Sequence, residues 1–188
     1  MKKDVTINIG ELYASRDPTI IYTLLGSCVA VCLYDPKNRI GGMNHILLPG
    51  KPDLRRFDAS ARYGINAMEL LINKILKIGG DRKRIIAKVF GGAHVIPAIS
   101  HDNGMGPRIV EFVKDFLKNE DIRIVSQDLG GKKARKIYFH TDTGEVFLKR
   151  IKRTSIKIYQ CDFKRASEWI KSRIDKQHGD IEIFTPDK

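Results

Sequence analysis

The sequence predicts a mixed α/β domain: a largely antiparallel β-sandwich with two long helices packed on it. Three observations carry that expectation. Short runs rich in Ile, Val, Thr and Tyr recur along the chain, punctuated by Gly, Pro and Asp turn signals. Two longer stretches, Asp58 to Ile78 and Pro107 to Asn119, switch to helical spacing. The strands do not alternate regularly with helices, which argues against a doubly wound parallel sheet.

In chain order, residues 4–8 alternate in the strand manner and run into Gly10. Thr19–Leu25 reads as a strand, interrupted by the turn Gly26-Ser27. Val29–Tyr34 is a near-continuous apolar run, the pattern of a strand buried on both faces. Asp35-Pro36-Lys37-Asn38 is a turn, and Ile40–Leu48 is the returning strand of a hairpin. After Pro49-Gly50-Lys51-Pro52, a helix is expected from Asp58. Ala61, Ile65, Met68, Ile72, Ile75 and Ile78 form its apolar stripe, and Gly79-Gly80 stops it. Arg84–Phe90 is a buried strand ended by Gly91-Gly92. Pro107 suits the first turn of a second helix. Ile122–Gln127 is a strand. Gly130-Gly131 precedes the hairpin Ala134–His140 and Glu145–Ile151, turned at Asp142-Thr143-Gly144. Asp162 can cap a last helix carrying Phe163, Trp169 and Ile174, and Ile181–Phe184 is strand-like.

The chain of 188 residues fits one domain with a core large enough to fold without staples. No run approaches the roughly 18 apolar residues of a membrane span. Asp4, Asn8 and Glu11 break any signal-peptide core, so the expected compartment is the cytoplasm. There the three cysteines, Cys28, Cys32 and Cys161, are expected as free thiols. The net charge is +12, and more than half of it lies between Lys132 and Lys157. Such a run suits an acidic partner, or it is a solvated hairpin whose lysines guard an edge. It lacks the aromatic interleaving of a base-stacking surface, so nucleic acid is not the expected partner.

Cys28 has a suggestive address, directly after a glycine–serine turn and directly before a buried strand. A thiol there could act as nucleophile, with backbone N–H groups around Gly26 and Ser27 as an oxyanion hole. The alternative is a buried structural cysteine. If the next two strands form a hairpin, His45 returns toward Cys28 and could take its proton. His45 could equally be held within the hairpin. The spacing Cys28-x3-Cys32-x12-His45 matches three ligands of a zinc finger, but Pro49, Gly50 and Lys51 supply no fourth. Cys32 reads as core filler. His94 could line the same site. Gly91-Gly92 and Gly130-Gly131 lack the phosphate-binding pattern and its lysine, so no nucleotide, metal or other cofactor is expected.

The run Leu25-Gly26-Ser27-Cys28-Val29-Ala30-Val31-Cys32-Leu33-Tyr34-Asp35 resembles the signature of the CheD family of chemoreceptor glutamine deamidases. Gly42-Met43-Asn44-His45-Ile46-Leu47-Leu48-Pro49 resembles its histidine strand, and Phe90-Gly91-Gly92-Ala93 its central glycine turn. Gly130-Gly131, Ala134-Arg135 and Thr141–Val146 resemble its C-terminal hairpin. The resemblance implies a fold related to glutamine-deamidating toxins. It implies hydrolysis of receptor glutamine to glutamate through a thioester, with Cys28 as nucleophile and His45 as base. Thr23 matches the family's histidine-orienting threonine. The implied partners are the cytoplasmic helical region of chemoreceptors and the phosphatase CheC. A non-catalytic regulator that binds receptors or CheC is the alternative. On this reading residues 1–153 form the deamidase domain and 154–188 an extension packed on it. His94, after Gly91-Gly92-Ala93, and that extension depart from the family pattern.

Overall fold

The structure, a computed structural model, describes residues 2–47, 59–95 and 105–151, with side chains in the first helix described from Gly64. Among the described residues nine strands and two α-helices follow one another: β1 Lys3–Thr6, β2 Leu12–Ser15, β3 Thr19–Leu25, β4 Val29–Asp35, β5 Ile40–Ile46, α1 Ala59–Lys77, β6 Ile86–Gly91, α2 Met105–Asn119, β7 Arg123–Leu129, β8 Arg135–His140 and β9 Val146–Arg150. The strands form two sheets, β1-β3-β8-β9 and β2-β5-β4-β6-β7. Pairing is antiparallel except for β1 with β3 and β6 with β7. The expected mixed sandwich is therefore what the chain forms.

The arrangement has three layers, which explains the apolar run through β4. Its residues Val29, Val31 and Leu33 face the helices and pack with Met68, Leu71, Ile72, Ile75, Ile109, Val113 and Leu117. Ala30, Cys32 and Tyr34 face the other sheet and pack with Ile21, Leu25, Met43, Ile137 and Phe139. A strand in the middle layer has no wet face, so every residue of β4 and β5 is buried. Each fully buried Leu or Ile contributes roughly 1.5–3 kcal/mol of transfer free energy.

Helix α1 buries its stripe against β5 and β2, and α2 crosses over from β6 to the parallel β7. Gly79, at φ +101°, turns the chain out of α1 while Gly80 N–H donates to Ile75 C=O over 2.9 Å. No helix among the described residues is long and apolar enough to cross a membrane.

Several expected boundaries move. β6 begins at Ile86 rather than Arg84, because Asp81 caps a 3-10 turn over Arg82–Arg84. Pro107 is the third residue of α2, still inside the turn whose N–H groups lack partners. β1 stops at Thr6, although Ile7 N–H still reaches Tyr22 C=O at 3.1 Å. β5 ends at Ile46, β7 runs on to Leu129, and the last hairpin is a residue shorter at each outer end. The edge strand β2 was not expected: Leu-Tyr-Ala-Ser is short and carries no β-branched residue. The expected helix start at Asp58, the loop from Pro49, the side chain of Ala61, and the helix and strand beyond Thr154 lie outside the described residues.

Candidate active site

The turn Gly26–Cys28 carries the chain from one sheet to the other. Leu25 closes β3 in the four-stranded sheet, opposite Arg135, and Val29 opens β4 in the five-stranded sheet, opposite Ile46 and Gly91. Cys28 thus sits at one end of the interface between the sheets, only 4 % exposed. The glycine segment after β6 ties the turn down. Gly92 N–H donates to Cys28 C=O at 2.8 Å, and Ala93 N–H donates to Gly26 C=O at 2.9 Å. The approach is so close that a Cβ on Gly91, at φ +118°, would lie 2.1 Å from the Cys28 carbonyl oxygen. Only glycine fits there.

The hairpin register decides where His45 goes. Ala30 pairs with His45, so both side chains enter the space between the sheets. Cys28, two residues before Ala30 on the same face, is the diagonal neighbour of His45. The His45 main chain is fixed on its other side as well: its N–H donates to Glu11 C=O and its C=O accepts from Gly10 N–H. Asn44 strengthens this anchorage by accepting from Val31 N–H at 3.0 Å and donating to Ala67 C=O at 3.2 Å.

The imidazole meets a residue from the opposite sheet. Thr23 Oγ1 lies 2.8 Å from His45 Nδ1 and donates its own proton to Ile7 C=O at 2.7 Å. A hydroxyl has one proton to give. With that proton on Ile7, Thr23 can only accept from His45, so Nδ1 carries the hydrogen and Nε2 a bare lone pair. Nε2 is buried and makes no hydrogen bond among the described residues, with the Cys28 thiol included. A buried acceptor of this kind is costly to leave unmet.

Burial sets the charge states. It pushes the Cys28 thiol up to about 12 and pulls the His45 imidazole down to about 4. Both groups are therefore neutral near pH 7. Cys32 lies deeper in the same core and burial raises its thiol as well.

The structure brings Cys28, His45, Thr23, Gly26 and Ser27 to one end of the sheet interface. His94 is close in the chain to the glycine segment, and its N–H donates to Gly131 C=O at 2.8 Å. His140 lies at the opposite end of β3, paired with Ile20. Cys161, His101 and His178 are outside the described residues. Asn44 and the Ile7 carbonyl were not foreseen. A lone amide in an apolar strand was the available signal for Asn44; nothing local marks a main-chain carbonyl. The basic hairpin forms one edge of the four-stranded sheet, with Lys136 above the Tyr22 ring at 4.4 Å and the Tyr138 ring at 5.0 Å.

Residues 47–150 match the family model described as CheD chemotactic sensory transduction. That match begins just after His45. Curated relatives align over nearly the whole chain. A probable chemoreceptor glutamine deamidase CheD 1 of Shewanella oneidensis is 44 % identical over 186 residues, 96 % of this chain and 87 % of the relative. A probable chemoreceptor glutamine deamidase CheD 2 of Chromobacterium violaceum is 45 % identical over 181 residues, 93 % and 87 %. A probable chemoreceptor glutamine deamidase CheD of Thiobacillus denitrificans is 47 % identical over 146 residues, 76 % and 71 %.

Proposed function

We propose, since this chain belongs to the CheD family, that it hydrolyses glutamine side chains of chemoreceptors to glutamate, with Cys28, His45 and Thr23 carrying the reaction. The observation that supports this assignment of roles is the relay from Ile7 through Thr23 to His45, which leaves Nε2 as an unprotonated acceptor.

The chemistry follows from the charge states. A thiol near 12 beside an imidazole near 4 does not rest as an ion pair. The thiol proton must move to Nε2 as sulfur attacks the carboxamide carbon, which is general-base catalysis rather than a stored thiolate. The oxygen of the tetrahedral intermediate is met by main-chain N–H groups of the Gly26–Cys28 turn. His45 then returns the proton to nitrogen, the C–N bond breaks and ammonia leaves a thioester. Water, deprotonated by Nε2, attacks the thioester, and the sulfur leaves with the proton as glutamate forms.

The basic hairpin reaches the same end of the molecule, since Lys136 pairs with Leu24. It suits an acidic helical substrate, and with it a CheC partner and work in the cytoplasm. Residues 1–153 would form the deamidase domain and 154–188 an extension on it.

The test is the mass of a receptor cytoplasmic fragment after incubation. Each converted glutamine adds about 1 Da. Conversion should vanish in Cys28→Ala and His45→Ala and persist in Cys32→Ala. Equal conversion by Cys28→Ala would sink the mechanism.

A further inference from the structure

We infer that Arg135 is a positioning residue for the Cys28 turn; the inference rests on the deamidase reading above. Arg135 heads the fully buried side chains, at 0 % exposure. A guanidinium out of water is unfavourable unless its N–H groups are met. Here the two Nη groups are met by the segment that runs out of β7, while Nε–H has no partner among the described residues. Nη1 donates to the Asp128 carbonyl at 2.6 Å and to the Asp128 carboxylate. Nη2 donates to the Gly130 carbonyl and, at 3.5 Å, to the Lys133 carbonyl. Arg150 holds the second oxygen of Asp128 at 2.7 Å. Three main-chain carbonyls converging on one planar cation fix the shape of the loop that leaves the end of β7 at Asp128–Leu129 and runs to Lys133.

That loop is the outer member of a relay. Gly130 N–H donates to Gly91 C=O at 2.9 Å, and Gly131 C=O accepts from His94 N–H at 2.8 Å. The 91–94 segment so held is the one that donates to the Gly26 and Cys28 carbonyls. Arg135 also approaches from the main chain, as the cross-strand partner of Leu25. Beyond the guanidinium's own contacts, every link to the catalytic turn is a main-chain hydrogen bond. Turning the carbonyls of Gly26 and Cys28 turns the N–H groups between them. Arg135 thus aims the oxyanion donors without touching substrate, thiol or imidazole.

The test compares the full-length protein with Arg135→Lys and Asp128→Asn on a chemoreceptor cytoplasmic fragment, following ammonia release. A lysine keeps the charge but gathers its donors on one nitrogen, without the planar fork that divides these carbonyls between Nη1 and Nη2; the asparagine only weakens the clamp. Both variants should fold, with kcat at least tenfold lower for Arg135→Lys and severalfold lower for Asp128→Asn. KM should stay within twofold, and the pH profile of kcat/KM, which reports His45, should keep its shape. A kcat within twofold of the native value in folded Arg135→Lys overturns the inference. So does a loss that only tracks the folded fraction, read in both variants by circular dichroism. If Arg135→Lys does not fold, Asp128→Asn decides, and native kcat there is the overturning result. A native protein that releases no ammonia from any receptor fragment defeats the deamidase reading itself, and this inference with it.

Discussion

Thr23 and His45 belong to different sheets, yet Thr23 Oγ1 and His45 Nδ1 stand 2.8 Å apart, and the Thr23 proton is committed to Ile7. The contact determines which imidazole nitrogen can act as base. Thr23→Val removes the acceptor that holds Nδ1–H while keeping the shape. Loss of about 1.4 kcal/mol of orientation should lower kcat about tenfold. Thr23→Ser retains the hydroxyl and should keep most of the activity. Steady-state kinetics on a receptor fragment check both, and an unimpaired Thr23→Val would remove Thr23 from the machinery.

The buried neutral imidazole ties stability to pH. Its value in the folded chain, about 4, lies below the ordinary 6.5. Between these values the unfolded chain binds the proton and the folded chain does not. The His45 contribution is therefore full above about pH 6.5 and is lost as pH falls toward 4, up to about 3 kcal/mol in all. Cys28 has the opposite sign: with its thiol raised from 9.0 to about 12, its contribution is full below pH 9 and is lost as pH rises beyond. Urea unfolding at pH 7 and pH 4.5 should show a steeper loss for the native protein than for His45→Gln. Parallel losses would show that His45 titrates normally.

Two glycines with positive φ should respond differently to alanine. Gly91 faces the Cys28 carbonyl at a distance no Cβ can share, so Gly91→Ala forces main chain apart at the catalytic turn. The expected cost is about 3 kcal/mol or more, with activity lost. Gly130, at φ +70°, has nothing within 4 Å of the added carbon. Gly130→Ala should cost only about 1–2 kcal/mol of left-handed strain and keep activity within threefold. Denaturation midpoints measured alongside activity separate the two cases.

The strands and helices were legible wherever side-chain pattern and layer agreed. The uninterrupted apolar run of β4 announced a strand with no wet face, and the spacing of Met68, Ile72 and Ile75 announced a helix with one buried side. Strand β2 was not legible, because four ordinary residues become a strand only when β5 offers an edge to pair with. The onset of β6 was missed for a related reason: the Asp81 cap competes locally for the residues that follow it. Cys28 and His45 could be nominated from a turn and a hairpin, and Thr23 from the family resemblance.

The order of residues by itself determined that Cys28 follows a tight turn and that His45 returns beside it, since a hairpin register is a local matter. Whether β3 and β4 share a sheet is not local. The tertiary structure places them in different sheets, and that places Thr23 across the interface from His45 rather than beside it. It also puts the thiol and the imidazole out of water, where desolvation holds both neutral. Tautomer, charge and the aim of the turn depend on contacts between segments far apart in the chain, and such contacts exist only after the layers have packed.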